Sequence, residues 1–505
     1  HDEDVADAPS PDEALAGLVE FARDAKMVAH NAEFDRTFTT RHPSGYPLLD
    51  NIWIDSLDLA RIALPRMRSH RLIDLVKAFG APTSTHRADD DVAATYALFR
   101  ILLAAVHEMP PALVKCIALL APVEQWNTAV VFQHFAQPEA KPFSLKELRH
   151  ESMTSYERRP RIDAKMIQTM EYPTAEDIAQ AFSPTGIVGK LYVDFDPREE
   201  QLTMAQEVRA ALEASENLIV EAGTGVGKSM AYLVPAVLMA KKNNIAIGVA
   251  TKTNALLDQL VYHELPALAQ SLGDVTYAPL KGFSHYPCLR KVNRFVKEGV
   301  KMVDVQGTEH SQAPSLGALL SFIDQTDYDD MDSLKMDYRV VPRRAVTTTS
   351  HDCLRRKCPF YGTTCFVHGA RRFAETADVV VTNHTLLFCD AAADNGLLPP
   401  VRHWILDEAH GAEAEARRAF SLEIAAEDVT RLAQKVASGE SRNVYARAER
   451  KLSSSLKNDG ATLFEGLIGK AKSAGDMFAA AAHEFAPHIK DLLYFDPNKR
   501  SRSYD

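Results

Sequence analysis

Two short motifs, and the distance between them, constrain this chain more than anything else in it. AGTGVGKS (Ala222–Ser229) has the glycine spacing of a phosphate-binding loop, and DEAH (Asp407–His410) follows an apolar run, as the acidic end of a strand does. In a minimal phosphate-loop core such elements stand roughly 80–120 residues apart, the length of a few βα units. Here Lys228 and Asp407 are 179 positions apart (407 − 228). A segment the size of a small domain interrupts the pair. It holds Cys288, Cys353, Cys358 and Cys365, four of the six cysteines.

The chemistry of the pair follows from its residue types. A strand, a glycine turn and a helix starting at Lys228 aim backbone N–H groups and a helix dipole at one point, which suits a phosphate. Gly223, Gly225 and Gly227 let the backbone come close to phosphate oxygens, with Ala222 and Thr224 completing the turn. Lys228 would neutralise the β and γ oxygens of ATP, and the Ser229 hydroxyl would bind Mg²⁺. Asp407, at a strand end, can face the same ion. Glu408 can orient and deprotonate a water.

Composition sets looser bounds. The 505 residues predict two to four domains. Hydrophobic content of 46% and charged content of 25% are those of a soluble globular chain. No run of eighteen apolar residues occurs, so no membrane span is expected. The chain opens on His1, so the lack of a targeting segment carries no weight. Sparse, clustered cysteines favour metal ligation in a reducing, cytoplasmic compartment over disulfides. Cys116 and Cys389 sit in apolar runs and read as small buried hydrophobes. A net charge of −11 disfavours a general polyanion binder. Local basic groups remain candidates for DNA contact or for solvated surface: Arg290, Lys291, Arg294 and Lys297; Arg355, Arg356 and Lys357; Arg371 and Arg372.

Along the chain, residues 12–110 alternate helical and strand-like runs, with LIDLVKAFG closing at Gly80. Residues 111–192 read as a helical connector punctuated by prolines. NLIVEAG is an apolar strand feeding the glycine loop, KSMAYLVPAVLMAKK the helix after it, and NIAIGVAT a second strand. From about Gly282 to Thr376 the alternation is lost, and the stretch includes an acidic piece, Asp324–Asp332. ADVVVTNHTLLF and VRHWILDEAH restore buried strands. From Gly411 on the pattern is helical.

On these motifs residues 180–505 resemble the DinG/XPD family of superfamily 2 helicases. DPREEQLTMAQEV matches the family's RxxQxxM element, where Arg198 and Gln201 would recognise adenine. TKTNALLDQL resembles its motif Ia, which makes Thr251 and Thr253 candidates for strand-backbone contact. VVVTNHTLL resembles the element ahead of DEAH. Four thiolates can ligate a [4Fe–4S] cluster or a structural Zn²⁺. Zinc sites favour two close pairs. Here 64 residues separate Cys288 from Cys353, then four precede Cys358 and six precede Cys365. That pattern, between the phosphate loop and DEAH, resembles the family's iron–sulfur domain.

VAHNAEFDRTF (Val28–Phe38) and HRADDDVAATYALF (His86–Phe99) match two of three motifs of DnaQ-like DEDDh exonucleases. The resemblance makes Asp35 and Asp91 ligands of two divalent ions (Mg²⁺ or Mn²⁺) and His86 the general base, with Asp55 structural. The first motif, an Asp-x-Glu pair, is expected upstream of His1, so DNA cleavage by this chain is not expected. A nuclease fold kept for binding or packing is the alternative.

The resulting expectation is an α/β chain, with a partial RNase H-like exonuclease domain over 1–110 and the connector over 111–192. A RecA-like parallel-sheet domain spans 193–281 and 376–410, an iron–sulfur insertion 282–375, and the start of a helical arch-like domain 411–505. The resemblance implies an ATP-dependent 5′→3′ DNA helicase of repair or replication, coupled to a 3′→5′ exonuclease-like domain, acting as a monomer on single-stranded and forked DNA. Within these limits the chain is expected to turn nucleotide over slowly at best. Alternatives are a nuclease-tethered single-strand-binding scaffold whose phosphate loop senses nucleotide, and an enzyme whose main activity is the exonuclease.

Overall fold

The computed structural model describes residues 8–81, 88–152, 160–192, 195–223, 225–350, 352–362, 364–393, 397–421, 426–437, 444–445 and 459–488. It divides into two compact units, 1–416 and 417–505.

The first unit begins with α1 (Pro11–Ala22), whose entry is fixed by a capping box between Ser10 and Glu13. A parallel pair, β1 (Met27–Ala29) and β2 (Trp53–Asp55), brackets α2 (Ala32–Thr39). Then come α3 (Ser56–Ala63), α4 (Leu72–Ala78) and α5 (Ala88–His107). Ala94, Leu98, Leu102 and Val106 recur every fourth residue along α5 and are its buried stripe. Gly80 lies just past α4 with φ +64°, the left-handed turn expected there. The connector is built from α6 (Pro111–Ala118), α7 (Ala129–Phe135), α8 (Leu145–Ser152) and α9 (Ala175–Ala181).

The second half of the unit follows the helix α10 (Glu199–Ala214). It contains α11 (Lys228–Asn243), β3 (Ile247–Thr251), α12 (Asn254–Gln259), α13 (Leu265–Leu272) and β4 (Tyr277–Pro279). The interrupting segment adds α14 (Leu289–Glu298), the hairpin β5 (Met302–Val305) and β6 (Thr308–Ser311), α15 (Ala313–Gln325), α16 (Arg343–Val346) and α17 (Phe366–Ala374). The chain returns through β7 (Val379–Asn383), α18 (His384–Ala392) and β8 (His403–Leu406), then α19 (Ala412–Ala419). Four strands make one parallel sheet, in the order β4-β7-β3-β8. All of β3 and nearly all of β7 are buried, as strands covered on both faces must be. Gly248 lies under the Trp404 indole, where a Cβ would meet ring carbons at 2.3 Å, so only glycine fits.

One expectation fails here. NLIVEAG is not a strand: residues 217–223 run as irregular chain, and Ile219 is 97% exposed. An apolar run becomes a strand only when a neighbour takes its backbone groups. No described ladder reaches this run, and β8 stays at the edge of the sheet.

The insertion does not hang free. Its helix α15 packs on α3, α6 and α8, so one continuous core joins the amino-terminal half to the insertion. Gln325 donates to the Ala63 carbonyl at 3.1 Å. Arg149 of α8, fully buried, donates to the carbonyls of Thr364 and Thr326 and lies over the Phe366 ring at 4.1 Å. Lys281, just past β4, is 4% exposed and its ammonium is 3.0 Å from each of Asp258, Asp330 and Asp332. The acidic piece of the sequence thus turns two carboxylates inward to bind the insertion to the sheet.

The second unit is helical where described. α20 (Ala426–Val436) packs against a long helix, Asp459–Phe485, through Ala433, Ala479 and Ala482. No single described helix is long and apolar enough to cross a membrane.

Candidate functional site

The distance in sequence between the two opening motifs closes in space. Lys228 is the first residue of α11, Gly227 caps that helix at φ +83°, and a Cβ there would meet the Gln201 amide at 2.2 Å. β8 delivers Asp407 at its carboxyl end, where the Asp407 N–H still donates to Ala250 of β3 at 2.9 Å. The Lys228 ammonium sits 3.4 Å from Glu408 Oε1. One turn along α11, the Tyr232 hydroxyl donates to Asp407 Oδ2 at 3.2 Å. Burial first, then the Asp407 carboxylate, keeps that phenol protonated, so toward Asp407 it is the donor. Glu408 has φ +55°, and its other oxygen is 3.3 Å from His410 Nδ1, whose Nε2 is 2.9 Å from Lys252 Nζ.

Arg198 and Gln201 also reach this place. Arg198 donates to the Gly225 carbonyl, and Gln201 to the Gly227 carbonyl at 2.9 Å, so both grip the loop itself. Ser229 lies in the first turn of α11, and its hydroxyl is a hydrogen-bonding neighbour of Tyr232. Gly223 and Gly225 have open space where a Cβ would stand. Thr224 lies outside the described residues. Sequence reasoning missed Tyr232 and the Lys252–His410–Glu408 chain. The only signal for Tyr232 is its i+4 spacing from Lys228.

The flanking motifs lock together. Asn383 caps α18 through the Leu386 N–H at 2.8 Å and donates to Asn254 Oδ1 at 2.8 Å, joining TNHTLL to TKTN. Thr253 caps α12 and is exposed. Thr251 is a correction: it is fully buried and its hydroxyl donates to the Thr253 carbonyl at 2.9 Å, leaving no group for a nucleic-acid strand.

Cys288, Cys353, Cys358 and Cys365 line one cavity of about 30 Å³. A single water needs roughly 10–15 Å³, so the space exceeds one atom. Cys288 and Cys365 cap the amino ends of α14 and α17, where N–H groups and the helix dipole favour a thiolate. The Arg355 N–H donates to Cys353 Sγ at 3.4 Å. Against this, burial pushes the Cys288 thiol up and that of Cys365 to about 11, so both stay protonated unless a cation compensates. Arg290 and Arg355 line the same cavity, which suits a centre of net negative charge. Three basic groups of the sequence therefore border the cysteines, and Arg371 lies over Phe283 at 5.0 Å. Among the described residues no three His, Cys, Asp or Glu side chains converge closely enough for one metal ion. Cys116 and Cys389 are elsewhere, half-buried, and burial raises both thiols, that of Cys116 to about 12.

In the amino-terminal region Asp35 stands on α2 and Asp91 in the first turn of α5. Burial, with Asp55 adding, raises the Asp35 carboxyl. Asp55 caps α3 through the Leu57 N–H at 2.8 Å and also accepts from the Asn31 N–H, the structural part expected of it. His30 is fixed by Ser56 Oγ at 3.0 Å and the His70 carbonyl at 2.9 Å. His86 lies outside the described residues.

Comparison with known proteins bears on both halves. Residues 1–99 match the family described as Exonuclease. The chain is 27% identical over 520 residues to the "3'-5' exonuclease DinG" of Bacillus subtilis, covering 97% of this chain and 53% of that protein. The chain carries an exonuclease domain and is homologous to DinG and YoaA proteins. It is 38% identical over 257 residues to the "ATP-dependent helicase DinG" of Mycobacterium tuberculosis, covering 46% of this chain and 38% of that one. To the "ATP-dependent DNA helicase YoaA" of Escherichia coli it is 37% identical over 266 residues, with 50% and 39% covered. The chain thus spans between about a third and a half of the length of these relatives.

Proposed function

We propose that this chain provides the nucleotide-binding half of a DinG-type, ATP-dependent DNA helicase joined to a 3′→5′ exonuclease-like domain. The observation that carries this is the meeting of Lys228 with Glu408 at 3.4 Å, beside Asp407, across the opening of a glycine loop. The sheet of β3, β4, β7 and β8 is then the RecA-like domain of the family. A triphosphate would compete with Glu408 for the Lys228 ammonium, and the freed carboxylate would hold the attacking water. Ser229 and Asp407 would hold Mg²⁺, which supplies positive charge against the phosphates. Tyr232 keeps Asp407 aimed at the loop. Arg198 and Gln201 shape the loop and stand ready for the adenine. Thr253 is the strand contact, DNA travel is 5′→3′, and forked or single-stranded DNA is the substrate.

The cysteine cavity fits a [4Fe–4S] cluster held by Cys288, Cys353, Cys358 and Cys365. The cavity has room beyond one atom, and two helix amino ends and two arginines favour an anionic centre. A bound cluster would supply cross-linking to a segment whose only described strands are a short hairpin.

The test uses the whole chain. Glu408→Gln should bind nucleotide yet lose at least about 100-fold in DNA-stimulated ATP turnover, the usual scale for a lost general base. Lys228→Ala should lose binding as well. Turnover unchanged in both variants would refute the motor. A second reading, the exonuclease as main activity, is favoured by the name of the Bacillus subtilis relative, whose alignment covers 97% of the chain. Metal-dependent digestion that survives Lys228→Ala but not Asp35→Ala would select it.

A further inference from the structure

The cysteine cavity holds a histidine that no role above uses. His368 lines it together with the four cysteines, and its Nε2 is 3.8 Å from Cys353 Sγ, within reach of a hydrogen bond to sulfur. The sequence explains the placement. Cys365 caps α17 and His368 is the third residue of that helix, so the two stand three apart on one face and the imidazole returns over the cavity. Aromatic neighbours hold the ring. Tyr361 lies at 4.6 Å between centroids, and Phe283 meets it edge-on at 6.3 Å.

A neutral imidazole carries one N–H, and a thiolate beside Nε2 selects the tautomer that bears it there. Backbone N–H groups approach Cys288 and Cys365 at the helix starts and Cys353 from Arg355. At Cys353 a side chain is added to the backbone donor.

We propose that His368 donates an N–H···S hydrogen bond to Cys353 and thereby raises the reduction potential of the centre these thiolates hold. The inference rests on the cluster reading given above. The physical step is short. A donor withdraws electron density from the ligating sulfur, which stabilises the reduced and more negative state over the oxidised one. His368 is a positioning and tuning residue, and Cys353 remains the ligand.

The experiment uses the whole chain purified without oxygen, with iron content and visible absorption measured first. Wild type and His368→Phe are then titrated for midpoint potential by electron paramagnetic resonance. The expected result is retained iron with a lower potential in the variant, because phenylalanine keeps the stacking and removes the donor. A variant too unstable to hold iron does not end the test. Wild-type chain labelled with ¹⁵N-histidine and reduced should show a weak ¹⁵N hyperfine coupling to the cluster, as expected for a nitrogen one hydrogen bond from sulfur. Iron present with no histidine coupling, with a strong coupling diagnostic of direct ligation, or with an unchanged potential in His368→Phe overturns the inference and leaves the cluster standing. Absence of iron from the wild type overturns the cluster reading and this inference with it.

Discussion

The phosphate-loop region and the cysteine insertion each bring distant residues to one cavity, but different forces hold them. In the first, a parallel sheet does the positioning. β3 and β7 are buried on both faces, β8 pairs with β3, and Asp407 arrives at the glycine loop because strand ends share one edge of the sheet. In the insertion the only described strands are β5 and β6. There the work falls to side chains: Lys281 among three carboxylates, Arg343 and His285 on Asp332, and Arg149 on loop carbonyls. A backbone ladder survives most single substitutions, because its hydrogen bonds belong to every residue type but proline. A buried ionic network does not, because removing one partner strands the rest in a poor solvent.

Lys281→Met should therefore be the most damaging single change to stability. Burial alone would pull the Lys281 ammonium down, but Asp330 and Asp332 outweigh it and hold it charged. Asp330 is 8% exposed and would lose its near cation. Breaking a buried pair from one side costs about 3–5 kcal/mol, which urea unfolding of the whole chain would read. A cost under about 1 kcal/mol, the scale of a surface pair, would show that the insertion does not depend on this network.

This contrast also explains what could be read from the residues alone. The glycine loop, DEAH and their neighbours were legible because each motif is a local pattern at the end of a periodic element. On the acidic side the meeting follows from where β8 ends, and on the glycine side from the start of α11. NLIVEAG misled because apolar composition records only that a run can pair, whereas pairing needs a free edge brought to it. Thr251 misled in a related way: a motif gives a residue's place along a strand but not which way its hydroxyl turns. The packing of α15 on α3 and α6 left no trace in the sequence, since an apolar helix face does not name its partner. The sequence marks Asp324–Asp332 only as an acidic piece, and its inward turn depends on Lys281, more than forty residues away in the chain.

The amino-terminal region offers a third arrangement, a half-buried carboxyl beside an arginine. Burial first, then Asp55, pushes the Asp58 carboxyl up to about 7, while Arg61 stands 3.5 Å away. Between the ordinary value of 3.8 and about 7 the folded chain keeps a proton that the unfolded chain has released. Stability therefore falls as pH rises through that window and levels off above it. The window corresponds to a ceiling of about 4 kcal/mol. Asp58→Asn removes the titration, so its stability relative to wild type should rise from pH 4 to pH 7, measured by urea unfolding across that range. A constant difference between the two proteins would mean that Asp58 is charged throughout.

The smallest effect belongs to the sheet region, where the argument predicts tolerance. Thr253 caps α12 by accepting from the Leu256 N–H at 3.3 Å, and its hydroxyl is otherwise turned to solvent. Thr253→Ala should cost about 1 kcal/mol, the usual value of a lost cap, because Asn254 and Asn383 still hold the start of the helix. Thr253→Ser keeps the oxygen and should restore stability. If Thr253 also meets a nucleic-acid backbone, the alanine variant loses single-strand affinity beyond what its stability explains, and the serine variant recovers it. A loss comparable to that of Lys281→Met would erase the distinction between the two regions. It would mean that the sheet, like the insertion, is held in place by individual side chains.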